Sequence, residues 1–386
     1  MKSSTQTICL SIIVKNEAHV IRRCLDSVRP IIDHWIIVDT GSTDGTQDVI
    51  RAAMADIPGR LVERPWVDFA YNRSEALRLA RPHGHYSLII DADDELVIPA
   101  GFTMPKLEAS AYHLTIVDSF TRYQRLQIVS NALPWHYRGV LHEFLDCKVK
   151  ASRGSLPLAM RRGEDGARHR DPDTYKRDAV ILETALKTEK DPFLIARYTF
   201  YLAQSYRDSN DFENSLKYYL QRTEYRFWHE EVYISLLSAA YIMEAIREPE
   251  DKIKALYDRA IAICPERAEA RHGASRYYRH LRKFVEGFHY AEAGLPPNMP
   301  SEGLFLQPWI YQYGLQDEYA VNAYCTGQYR ACLANCLDIL GHPDLPVDVR
   351  ERIAKLSREA LGKMLDPVWG FAPSAYRTEF MPQWQV

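Results

Sequence analysis

Twice within its first fifty residues the chain passes from an apolar run of strand character through a polar, turn-forming tip into a helix. Ile8-Cys9-Leu10-Ser11-Ile12-Ile13-Val14 leads into Lys15-Asn16-Glu17, after which Val20, Ile21, Cys24, Leu25 and Val28 recur at helical spacing. Trp35-Ile36-Ile37-Val38 leads into Asp39-Thr40-Gly41-Ser42-Thr43-Asp44-Gly45-Thr46, and a second helix starts near Gln47. A third helix is expected over Asn72–Ala80, just before the apolar run Ser87-Leu88-Ile89-Ile90. Alternation of this kind predicts an α/β domain with a mostly parallel, doubly wound sheet that collects its ligand at the carboxyl ends of the strands.

The third apolar run ends in Asp91-Ala92-Asp93-Asp94-Glu95, four acids within five positions. If the chain stays extended there, side chains alternate and Asp91 and Asp93 face the same way. Two carboxylates so placed suit a hard divalent cation, Mg²⁺ or Mn²⁺, whose shell substrate phosphates and water complete. A solvated acidic loop is the plainer reading of such a run.

Taken together, Ile13-Val14-Lys15-Asn16-Glu17, Val38-Asp39-Thr40-Gly41-Ser42-Thr43-Asp44-Gly45-Thr46, Asn72-Arg73 and Asp91-Ala92-Asp93-Asp94 resemble, in order and spacing, the family 2 glycosyltransferases of GT-A fold. The resemblance runs from the start of the chain to about Leu145. It implies an inverting transfer of a sugar from a nucleotide diphosphate donor, with UDP the expected carrier. It places Val14, Asn16 and Glu17 beside the nucleoside and Asp39 on the base, where a carboxylate can accept the imide N–H of uracil. It puts Arg73 near the base or phosphates, Asp91 on the ribose or sugar and at the metal, and Asp93 on the metal, which stabilises the departing diphosphate.

An inverting transfer also needs a base on the far side of the sugar. Trp135-His136-Tyr137-Arg138-Gly139-Val140-Leu141-His142-Glu143-Phe144-Leu145-Asp146 sets polar groups among aromatics where relatives carry a His-Glu pair or a lone acid. Glu143 is the expected base and His142 a metal, phosphate or sugar contact. A zinc protease helix is excluded, because His-Glu-x-x-His would require histidine where Asp146 stands. Residues 151–177 scatter Arg153, Arg161, Arg162, Arg168, His169, Arg170, Lys176 and Arg177 through sequence with little apolar periodicity. They read either as a basic segment closing over the diphosphate, with Arg168 and His169 as phosphate contacts, or as a solvated linker.

Beyond Asp173 only helical patterns follow. Leu202, Ala203, Tyr206, Ser215 and Tyr219 have the spacing of a tetratricopeptide (TPR) repeat. Weaker copies carry Tyr257, Ala260 and Pro265, then Ala274, Tyr278, Phe284 and Gly287, then Ala323, Gly327, Tyr329 and Cys332. The expected organisation is a GT-A domain over residues 1–170 and an all-α, TPR-like helical-repeat domain over 171–386. The aromatic stripes serve packing between repeats, and the helical array can present an acceptor or form a homodimer.

A net charge of −3 over 386 residues, with no strongly basic domain, argues against nucleic acid as a partner. The polar start and the lack of a long apolar run point to the cytoplasm, and seven scattered cysteines require no disulfide. Two function classes fit. One is a metal-dependent transferase acting on a glycan or polypeptide acceptor. The other is a scaffold that binds a sugar nucleotide, turns it over weakly if at all, and recruits protein partners through its repeats. Intact Asp39, Asp91 and Asp93 favour the first.

Overall fold

A computed structural model describes residues 6–118, 121–163, 165–166, 173–301 and 303–364. The chain packs as two compact units that divide between Tyr218 and Tyr219.

In the first unit, strands β1 (Ile8–Val14), β2 (His34–Asp39), β3 (Gly59–Glu63) and β4 (Tyr86–Ile89) alternate with helices α1 (Ile21–Val28), α2 (Thr46–Ala53) and α3 (Phe69–Ala80). Strands β5 (Glu95–Val97), β6 (Ala111–Asp118), β7 (Thr121–Ser130), β8 (His136–Arg138), β9 (Phe144–Asp146) and β10 (Arg153–Arg161) follow. Eight of them form one sheet in the order β3-β2-β1-β4-β7-β6-β10-β5, and β8 and β9 form a separate hairpin. Strand β1 reads as a continuous apolar run because both of its faces are covered. Leu10, Ile12 and Val14 pack with Ile21, Cys24 and Leu25 of α1 and Ile50 of α2. Cys9 and Ile13, pointing the other way, pack with Ala76 and Ala80 of α3.

The expected parallel sheet is confined to the half that alternates with helices. β1, β2, β3 and β4 are parallel neighbours. Beyond β4 the sheet is mixed: β7 runs antiparallel to both β4 and β6, β10 runs parallel to β6, and β5 antiparallel to β10. The reason lies in the connections, because β6 and β7 are consecutive and pair Asp118 with Thr121, a spacing too short for a crossover. The segment 151–177 is likewise neither all linker nor all loop, since β10 occupies its first part. Its buried Leu156, Leu158 and Met160 alternate as a strand requires. Pro157 falls between Ser155 and Ala159, where the register with β6 shifts, a place a strand tolerates proline.

Helices α4 (Thr174–Leu186), α5 (Pro192–Asp208) and α6 (Phe212–Arg222) complete the change from strands to helices. The expected boundary at 170/171 follows that change in secondary structure, whereas the division by packing falls later. Ala179, Leu182, Leu194 and Tyr198 of α4 and α5 share a cluster with Val140, Leu141 and Phe144 around the β8–β9 hairpin. This first helical pair is therefore packed as part of the first unit.

The second unit contains α7 (His229–Ala245), α8 (Glu250–Ile263), α9 (Glu269–His280), α10 (Phe284–Glu292), α11 (Leu315–Cys325), α12 (Tyr329–Leu340) and α13 (Val347–Met364). Consecutive helices pack on one another, as TPR-like repeats do. Tyr257, Ala260, Ala274, Tyr278, Ala323 and Cys332 are buried, which accounts for their periodic recurrence. Two arginines are fully buried and paired: Arg222 with Glu231 at 3.0 Å, and Arg267 with Glu230 at 2.5 Å and Glu269 at 2.8 Å. Among the described residues no helix is long and apolar enough to cross a membrane.

Buried His272 packs edge-on to Trp309, with ring centroids 4.9 Å apart. Burial, with Arg276 and Arg279 close by, pushes its imidazole from 6.5 down to about 3. The neutral form is the folded one, so as pH falls below 6.5 the unfolded chain takes up a proton that the folded chain refuses, and stability declines toward pH 3. Denaturant unfolding followed by tryptophan fluorescence should show this decline in the natural chain and a shallower one in His272→Gln. Equal slopes would contradict the assignment.

Candidate functional site

The carboxyl tips of β1, β2 and β4 lie side by side at one end of the parallel strands. The first two are tied to each other by hydrogen bonds. Asn16 sits in the left-handed region at φ +58°, a conformation asparagine tolerates better than most residues. Its N–H donates to Ser42 Oγ at 2.8 Å, and its Oδ1 accepts from Thr43 N at 2.8 Å. Glu17 N donates to Thr46 Oγ1 at 2.9 Å, and Ala18 N to Asp44 Oδ2 at 3.1 Å. The Val14 side chain belongs to the core, and its carbonyl accepts from Thr40 N at 2.9 Å.

Asp39 is 1% exposed. Its Oδ1 accepts from Gly41 N and Ser42 N at 2.9 and 2.8 Å, an arrangement that Gly41 permits with φ +106°. Its Oδ2 is buried without a hydrogen-bond partner among the described residues. A buried carboxylate oxygen left unpaired is costly, and a donor from a ligand or water would relieve that cost.

At the tip of β4 the extended geometry expected for Asp91 and Asp93 does not persist. Asp94 N donates back to Asp91 O at 3.1 Å, so the acids occupy a turn in which Asp91 and Asp94 both approach Arg125. Asp91 pairs with Arg73 Nη2 at 2.5 Å and lies 3.7 Å from Arg125 Nη2. Burial works to raise its pKa, but the two guanidinium groups win and hold it well below the usual carboxylate value. Asp94, 2% exposed, accepts from Gly163 N at 3.1 Å and is pushed up from 3.8 by burial and by the charge of Asp91. Asp93 lies against Gly163 through its backbone and against Gly166 through its carboxylate, and a Cβ on Gly163 would collide with the Asp93 carbonyl. Arg23 of α1 joins the two sides: its Nη2 donates to Asp93 O at 2.8 Å and pairs with Asp165 at 2.9 Å.

The β8–β9 hairpin brings in the remaining acid. Gly139 and His142 at its turn both have positive φ, +103° and +50°. Glu143 reaches Arg73 Nε at 2.6 Å, so one guanidinium bridges Asp91 and Glu143 over the ring of Tyr137, 5.7 Å away. The side chains of Arg73, Glu143 and Asp91 are 15%, 13% and 30% exposed, which makes the bridge largely desolvated. The His142 ring instead stacks on Tyr201 of α5.

The structure therefore brings Arg73, Asp91 and Glu143 into contact, with Asp93 two residues along the same turn and Asn16, Glu17 and Asp39 on the neighbouring tips. Arg168 and His169 lie outside the described residues. Sequence reasoning missed Arg125, Arg23 and Tyr137 as members of the site. Arg125 lies on a strand whose neighbours follow from long-range register, which no local pattern reports. Arg23 lies inside the first helical pattern and Tyr137 inside the segment Trp135–Asp146, where local pattern marks them only as helix surface and as one aromatic among several.

As a metal site, the β4 tip offers the half-buried carboxylate of Asp93, while the charge of Asp91 is offset by two arginines. Among the described residues, the one group of three His, Cys, Asp or Glu donors close enough to share an ion is His229, Glu230 and Cys264 in the second unit. There Glu230 Oε2 already pairs with Arg267 and accepts from Leu304 N at 2.8 Å.

Residues 9–98 match the family model described as glycosyl transferase family 2. Over 159 residues the chain is 37% identical to a TPR repeat-containing protein of Synechococcus elongatus, covering 39% of this chain and 38% of that protein. It is 37% identical over 94 residues to the SPbeta prophage-derived glycosyltransferase SunS of Bacillus subtilis, covering 24% of this chain and 21% of that one. The chain thus spans less than two fifths of the length of either relative. The solved structure of S. aureus TarS 1–349 in complex with UDP-GlcNAc overlaps 78% of this chain and 99% of its own, at 12% identity and a TM-score of 0.31. A likeness that loose says nothing about the site.

Proposed function

We propose that this chain, whose residues 9–98 match family 2 of the glycosyl transferases, moves a sugar from a UDP-type donor to a glycan or polypeptide acceptor with inversion at the anomeric carbon. The observation that carries this reading is the bridge from Asp91 through Arg73 to Glu143. It brings an acid from the hairpin to the acidic turn at the strand tips, which supports reading Glu143 as an acceptor base beside a donor site. A GT-A domain with a helical-repeat domain after it agrees with this organisation.

In this reading Asp39 Oδ2, which has no partner among the described residues, accepts the imide N–H of the base, and the tied tips at Asn16 and Glu17 shape the nucleoside pocket. Arg73, oriented by Asp91, would turn its charge to a diphosphate. Asp93 would hold a divalent cation, Mn²⁺ or Mg²⁺, with phosphates and water filling the shell; a single half-buried carboxylate suits such an ion. The ion supplies charge neutralisation of the leaving diphosphate. Glu143 then takes the acceptor's proton from the opposite side of the sugar.

A panel of nucleotide sugars incubated with the full chain, with and without Mn²⁺, tests the reading. Slow release of UDP from one donor in the absence of acceptor is expected. If no nucleotide sugar is bound or hydrolysed under either condition, the transferase reading fails.

A further inference from the structure

The turn that carries Glu143 is held by one face of α5, a helix that sequence patterns assign to the repeat region. Tyr198 Oη accepts from Val140 N at 3.1 Å. Arg197 donates to the carbonyl of His142 from Nε at 3.1 Å and Nη2 at 2.9 Å. The Tyr201 ring stacks on the His142 ring, with centroids 3.7 Å apart and planes 6° from parallel. Positions 197, 198 and 201 share one side of a helix, so α5 grips the turn at consecutive points. The Arg197 guanidinium also lies over the rings of Tyr201 and Phe144, at 4.9 and 5.3 Å, which fixes the direction of its fork.

The residue so gripped is His142, which holds the left-handed conformation at φ +50° immediately before Glu143. That conformation is uncommon and costly for a non-glycine residue, and the contacts from α5 help to hold it. Its release would let the peptide to Glu143 rotate and carry the carboxylate away from Arg73. We infer that Tyr201 and Arg197 are positioning residues for the transfer step, through which the first helical pair sets the place of Glu143 beside the donor site. The inference rests on the transferase reading for its consequence, while the clamp itself is a property of the fold.

Two measurements on the full chain test it. Hydrogen exchange of the peptide spanning 139–143 should quicken by roughly tenfold in Tyr201→Leu and stay near the natural rate in Tyr201→Phe, which keeps the ring. With the donor found in the screen, Tyr201→Leu and Arg197→Met should lower kcat for transfer by about 10 to 100-fold, the scale of a small misplacement of a reacting group, with UDP affinity unchanged. Tyr201→Phe should restore transfer. Unchanged exchange in Tyr201→Leu overturns the clamp, and so does a parallel loss of UDP affinity and transfer, which marks a structural role only. A natural chain that turns over no nucleotide sugar refutes the transferase reading instead, and the exchange result still decides the clamp.

Discussion

Arg73→Met is expected to lower the stability of the first unit by about 3 kcal/mol, because it strands two carboxylates that share one largely desolvated cation. Breaking a buried pair by removing one partner usually costs this much or more; the 30% exposure of Asp91 keeps the figure at the low end. In a unit of this size, the loss corresponds to a drop of about 6 to 12 °C in the unfolding midpoint. The deficit should depend on pH in a defined direction. Arg73 holds Asp91 below its ordinary value, so the stabilisation is complete above the unfolded carboxylate range and fades as pH falls through the native value. The difference between Arg73→Met and the natural chain should therefore narrow below about pH 4. Arg73→Lys should recover only part of it, since a compact ammonium cannot both bond Asp91 and lie beside Glu143 as the broad guanidinium does. Thermal unfolding across pH checks all three statements, and an Arg73→Met midpoint within error of the natural chain at neutral pH would count against the bridge.

Glu143→Gln should cut transfer by roughly 10² to 10⁴ with UDP affinity nearly unchanged, the signature of a lost base. Glutamine keeps the shape beside Arg73 while removing both the charge of the ion pair and the proton acceptor. If Glu143 serves instead to hold Arg73 against the diphosphate, affinity and turnover fall together. Full transfer by Glu143→Gln would remove it from the chemistry. Calorimetric titration with UDP, combined with turnover of the donor identified in the screen, separates these outcomes.

The legible part of the fold is the part in which local pattern and global fold agree. β1 and β2, their turn-rich tips and the helices after them follow from period and punctuation, because each strand is covered on both faces and each tip must turn. The acidic turn was visible as composition but not as geometry: alternation predicts a shared direction for Asp91 and Asp93, and the Asp94–Asp91 hydrogen bond breaks it. Strand β10 was hidden by Pro157 and by flanking arginines, although Leu156, Leu158 and Met160 alternate. Arg125 reaches Asp91 and Asp94 only through the pairing of β7 with β4 and β6, a long-range register that single-sequence periodicity does not carry. Helix α5 reads as repeat by its spacing with α6, yet with α4 it packs an apolar face on the β8–β9 hairpin, a partner that spacing cannot name.

Calorimetric titration of the full chain with UDP, in Mn²⁺ and again in excess chelator, beside Asp93→Ala in Mn²⁺, tests the proposed donor site most directly. The proposal predicts binding by the natural chain in Mn²⁺ and a loss of at least about tenfold, or about 1.4 kcal/mol, on chelation or in the variant. Equal affinity under all three conditions, or no binding by the natural chain, would contradict it.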